Sequence, residues 1–229
     1  MGDIGRTRTG RLADDFFLMV HDDLSGRPRL SERILGLGLA GALLAELIAL
    51  GVVDIEKNVV RLTGYQMPAV DSPGASELAE EVLRDVEAEA SSLPVQDWLA
   101  YLCQLAPERV GRRLEAAGLV YFKASALKAL RRSGRWIPVD VHSAGWPAID
   151  VKLRIYNGKA DPHTLMLFGL ARATGLKHPS LWEVEDRLQD PVVWEQTLRP
   201  LVAFNPALLD LLGHTEAVVG SAITSGRIS

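Results

Sequence analysis

Apolar positions recur at three- and four-residue spacing through most of the chain, the period of helices that bury one face. That spacing predicts helices at about 10–21, 31–50, 74–91, 95–104, 107–118, 147–156, 161–174, 179–188, 190–202 and 205–220. Pro107, Pro162, Pro179 and Pro191 fall at or near predicted helix starts, where a missing N–H costs little. Period-two alternation is confined to two pairs of short segments. These are 52–55 with 59–62 around Glu56-Lys57-Asn58, and 119–122 with 136–141. The expected fold class is mainly α: a single globular helical-bundle domain over 9–222 with small β-hairpins, and short flexible ends at 1–8 and 223–229.

The most apolar stretch, 34–53, is long enough to span a bilayer and is interrupted only by Glu46. Its four glycines, its mid-run carboxylate and its lack of cationic flanks favour instead a central helix of a bundle. Gly36, Gly38 and Gly41 would then let neighbouring helices approach closely, with Ser31 as N-cap. Glu46, among Ala45, Leu47 and Ile48, is expected to be buried and ion-paired to an arginine.

The opening RLADDFFLMVHDD, with Leu12, Asp14, Asp15 and Asp22, precedes a run with Gly38, Leu39, Gly41, Leu44, Glu46, Leu47 and Gly51. Together they resemble the Golgi phosphoprotein 3 family and its bacterial relatives. The segments 94–102, 112–120 and 160–176 recur in the family's order, so the resemblance covers about residues 8–222. It implies a helical domain bound to membrane lipids, with a protruding hairpin, and in eukaryotic members a phosphoinositide headgroup held by a tryptophan and arginines. Those four family positions fall on Ser31, Ala40, Gln104 and Pro107 here, none of which matches. The resemblance therefore implies an anionic headgroup, held by Arg109, Arg112 or Arg113, without phosphatidylinositol 4-phosphate specificity.

Charge sharpens this expectation. The whole chain carries −4, which argues against nucleic acid as a partner. Residues 109–135 hold eight basic side chains against the single acid Glu115, so the remainder carries −11. On a helix through 124–135, Leu127 and Leu130 would share a side with Lys128, Arg131, Arg132 and Arg135 adjoining, and Trp136 beside them. These seven residues are the expected membrane contact, and the hairpin is also the expected surface for any homo-oligomer. The leading expectation is a cytoplasmic, peripherally membrane-associated binder of anionic lipid, without a cofactor.

The alternative is an enzyme. Asp14, Asp15 and Asp22 fall within about 100° on a helix, so they can in principle hold Mg²⁺ and an isoprenoid or lipid-like diphosphate, with Glu46 as a fourth acid. Against this stands the expectation that Asp14 and Asp15 are surface residues and that Asp22 and Asp23 form a turn with Ser25-Gly26. An apolar cavity with acids at its mouth would favour the enzyme, and a shallow basic dimple the lipid binder. The lone Cys103 and the five scattered histidines spell no zinc site, and the N-terminus lacks the apolar core of a secretory signal.

Overall fold

A computed structural model describes residues 9–65, 67, 73–89, 93–124 and 134–226. Helix α1 (Leu12–Val20) is buried along its whole length. It packs on α2 (Glu32–Ala49), whose apolar residues leave almost no solvent face and which forms the central rod. Around α2 stand α4 (Val95–Ala116), α6 (Pro162–Ala173) and α9 (Pro206–Gly226). Outside these lie α3 (Pro73–Ala88), α5 (Val141–Tyr156), the short α7 (Trp182–Arg187) and α8 (Pro191–Phe204). Two antiparallel hairpins complete the described chain, β1 (Val53–Glu56) with β2 (Val59–Leu62), and β3 (Val120–Ala124) with β4 (Gly134–Pro138). The mainly α domain expected from periodicity is what the molecule adopts.

The glycines of α2 do what their spacing suggests. A side chain at Gly36 would lie 2.2 Å from the Cys103 carbonyl oxygen of α4, and one at Gly38 would lie 2.5 Å from the Phe16 ring of α1. Ser31 does occupy the N-cap position, but its hydroxyl makes no capping hydrogen bond.

Several boundaries differ from the sequence expectation, α9 among them, which continues to Gly226 rather than 220 and so enters the end expected to be flexible. Pro107 does not begin a helix, because α4 runs unbroken through it. The proline leaves the Cys103 carbonyl, four residues earlier, without an intrahelical donor. That is the oxygen seated against Gly36, so the defect in α4 lies where α2 has no side chain. Strand β4 stops at Pro138, and α5 begins at Val141 rather than 147. Asp140 starts it by accepting from the Ser143 N–H at 2.8 Å and the Ser143 hydroxyl at 2.6 Å. Trp182, in α7, is 62% exposed.

Candidate functional site

Because α1 is buried on every side, its consecutive acids must each find a partner inside the protein. Asp14 and Asp15 are both fully buried, which corrects the expectation that they lie at the surface. Asp14 faces α4, where it accepts from Arg113 Nε at 2.8 Å, and from Arg11 Nη1 at 3.2 Å. Arg113 forks onward to Glu46 of α2, both contacts at 3.4 Å. Glu46 also accepts from the Ala13 N–H at 2.8 Å, capping the first turn of α1 from a neighbouring helix. Burial pushes the Asp14 carboxyl up to about 6, against the pull of Arg113. Burial alone would lower Arg113, but Glu46 and Asp14 outweigh it and hold the guanidinium above its ordinary range.

Asp15 turns to the opposite side. Its Oδ1 accepts from the Thr9 N–H at 3.1 Å and the Thr9 hydroxyl at 2.9 Å, and its Oδ2 lies 2.8 Å from Nε2 of His163 on α6. Asp22, at the far end of α1, accepts from the Ser25 N–H and hydroxyl at 2.8 and 2.7 Å, the turn its sequence suggested. The three aspartates therefore serve three separate purposes. Among the described residues no group of three or more His, Cys, Asp or Glu side chains is placed to hold a metal ion.

The arginines of α4 divide in the same way. Arg113 is spent on the buried pair. Arg109 lies 2.8 Å from Asp85 and 3.8 Å from Glu81, both on α3. Arg109, Arg112 and Arg113 line an open groove of about 810 Å³, shared with Gln104, Glu81 and Glu108. Arg112 is 61% exposed, and its guanidinium lies 5.6 Å above Trp136 and 6.0 Å from Phe122, at the root of the second hairpin. Of the family-pocket positions, Ala40 is buried in the core while Ser31 and Gln104 are exposed.

That hairpin is fastened to the bundle through one face. Trp136 lies over Gly111 of α4, where a side chain would come within 2.4 Å of its ring, and Phe122 stacks beside it at 4.9 Å. The Phe122 N–H donates to Glu115 at 3.0 Å. The Trp136 carbonyl abuts Gly26 of the α1–α2 turn, a residue held at φ +63°. Alternation along the strands turns Tyr121, Lys123, Arg135 and Ile137 the other way. Trp136 is thus a structural contact to α4, while Tyr121, 47% accessible, is the more exposed of the hairpin's two exposed aromatics beside Phe122 at 38%, and periodicity alone did not single it out. Leu127, Lys128, Leu130, Arg131 and Arg132 lie outside the described residues.

A sequence model of the Golgi phosphoprotein 3 family matches residues 12–205, from the start of α1 into the end of α8 and its exit. The chain belongs to the Golgi phosphoprotein 3 family. No curated protein matches it. The match takes in the Asp14–Arg113–Glu46 and Asp15–His163 contacts of this Golgi phosphoprotein 3 family member, most of the α4 groove and the second hairpin. None of its helices among the described residues is long and apolar enough to cross a membrane.

Proposed function

We propose that this protein binds the surface of anionic membranes peripherally, through the outward face of the β3–β4 hairpin with Arg112 beside it. The observation that carries this is the directly opposed pair Lys123 and Arg135. Like charges facing across a strand pair destabilise it, and among the described residues neither has an acidic partner. A lipid phosphate between them relieves that repulsion and gains charge-assisted hydrogen bonds. Tyr121 on the same face and Arg112 on its aromatic platform extend a surface suited to the interface, where each cation contributes about 1 kcal/mol. Family membership supports the same function.

The α4 groove contributes less. Arg109 and Arg113 are neutralised by carboxylates, and exposed Arg112 also reaches Glu115 and Glu108 at 3.3 and 3.7 Å, so recognition follows the charge density of the membrane more than the shape of one headgroup. Co-sedimentation with phosphatidylserine vesicles tests the proposal. The full chain should pellet at low salt, release as salt rises, and lose binding in Lys123→Glu/Arg135→Glu. Undiminished pelleting of that variant would refute it.

A further inference from the structure

On the far side of the buried ionic network from the groove lies a half-open cavity of about 550 Å³, between the start of α1, the end of α2, the start of α6 and the α8–α9 corner. Leu12, Leu50, Met166, Phe204 and Leu208 give it an apolar wall. Phe204 is 53% exposed, so greasy surface faces water at its mouth. Five polar side chains also line it: Thr9, Arg11, Glu46, Asp161 and His163. Four are committed elsewhere, Thr9 through its hydroxyl to Asp15 and to the Arg11 carbonyl. Glu46 holds Arg113 and the Ala13 N–H. Asp161 caps α6 by accepting from the Thr164 N–H and hydroxyl, and Arg11 pairs with Asp14.

His163 is different. Asp15, whose other oxygen is filled by Thr9, accepts at Nε2, and a buried carboxylate in that position fixes the ring so that Nε2 carries the proton. In the neutral ring Nδ1 is then an acceptor, and no described residue bonds to it. The ring is 22% exposed and borders the cavity. An apolar chamber whose one uncommitted polar side-chain atom, among the described residues, is an acceptor fits a ligand with a long apolar chain and a single donor.

We infer that this cavity binds a neutral long-chain or isoprenoid alcohol, its chain along Leu12, Leu50, Met166 and Leu208 and its hydroxyl donating to His163 Nδ1. A carboxylate or phosphate head has no proton to give that nitrogen and would sit beside Glu46 and Asp161, with Arg11 already paired to Asp14. A charged ammonium would have to leave water beside acids that already have their counter-ions. The site uses neither the hairpin nor Arg112, so it stands or falls apart from membrane binding.

The test titrates the full chain, labelled with ¹⁵N-histidine, with 1-decanol, decanoate and decylamine at pH 7.5. It follows the His163 Nδ1 resonance. Decanol should saturate and move that resonance, with affinity rising by up to about fourfold for each added methylene from octanol upward. Decanoate and decylamine should bind at least tenfold more weakly. Ala49→Trp, at an exposed position on the cavity wall, should abolish binding, and His163→Phe should weaken it about tenfold. If His163→Phe does not fold, the wild-type resonance and Ala49→Trp still decide the matter. Equal binding of all three heads, or decanol binding untouched by Ala49→Trp, would overturn the inference, as would no saturable binding at all.

Discussion

Replacing Arg113 by methionine should show what the ionic network is for. The guanidinium is the shared partner of Asp14 and Glu46, and its side chain is only 4% exposed. Removing one member of a buried pair costs about 3–5 kcal/mol, because the remaining charge has lost its compensation without regaining water. Here two carboxylates are stranded at once, although Arg11 still reaches Asp14 and the Ala13 N–H still reaches Glu46. The upper half of that range is therefore expected at pH 7.5.

The cost should also depend on pH with a definite sign. Asp14 ionises near 3.8 when unfolded and near 6 when folded. The folded state thus holds the proton longer, so this group's contribution to stability is greatest below pH 3.8 and falls as pH rises to about 6, a total of about 3 kcal/mol. Losing Arg113 raises the folded value further, so Arg113→Met should be distinctly less costly at pH 5 than at pH 7.5. Asp14→Asn, which cannot ionise, should flatten the wild-type slope across that window and recover part of the loss when combined with Arg113→Met. Urea denaturation followed by circular dichroism between pH 5 and 8 measures each midpoint. A loss in Arg113→Met that is the same at both pH values, or that Asn at 14 does not reduce, would refute the assignment of Arg113 as counter-ion to buried Asp14.

Other expectations follow from single contacts. Gly36→Ala should destabilise by about 1–3 kcal/mol or more, since its methyl would meet a backbone carbonyl that cannot rotate away, and thermal melting would register it. Lys123→Glu should move two properties in opposite directions. It makes a cross-strand pair with Arg135, stabilising by about 0.2–1 kcal/mol, while vesicle pelleting weakens. Phosphatidylinositol 4-phosphate should not outcompete other anionic lipids at matched charge, because Ser31 and Ala40 bring neither ring nor guanidinium. A preference persisting at raised salt would contradict this. His21, lowered to about 4 by burial, contributes stability fully above its ordinary 6.5 and loses it as pH falls to about 4. His21→Gln should flatten that acid limb in the same denaturation series.

Periodicity located nearly every helix because burial on a bundle is itself periodic, and it located both hairpins through their short alternating segments. It misplaced boundaries at Pro107 and Pro147, residues that usually end helices. At Pro107 tertiary packing overrode the local preference, since the Cys103 carbonyl it orphans faces a glycine. The pairing of Glu46 with an arginine was legible from its apolar flanks. The fate of Asp14 and Asp15 was not, because a helix buried all round looks in sequence like an amphipathic one that carries two acids. Only the partners reveal it, and Arg113 and His163 lie 99 and 148 residues away in the chain. The same distance hid the division of labour among the arginines. Arg109, Arg112 and Arg113 read as one basic cluster, yet α3, the hairpin and α1 each claim one of them.

That division explains why the ionic network sits where it does. Arg113 borders the α4 groove and Glu46 borders the α6 cavity, and Arg11 lines both. The network is a wall between two openings that otherwise meet at the base of α1. An apolar wall there would satisfy packing equally well and avoid desolvating charge, since buried ion pairs contribute little net stability. What an apolar wall would not do is hold the first turn of α1 in register. Glu46 accepts the Ala13 N–H, and Arg113 takes Asp14, the very next side chain. Together they fix the rotation of α1 about its axis, and that rotation aims Asp15 at His163 instead of at α4. Loss of Arg113 should therefore disturb the His163 ring across the wall as well as global stability. In a variant kept folded by low pH, a His163 resonance identical to wild type would show that the two sides of α1 are set independently.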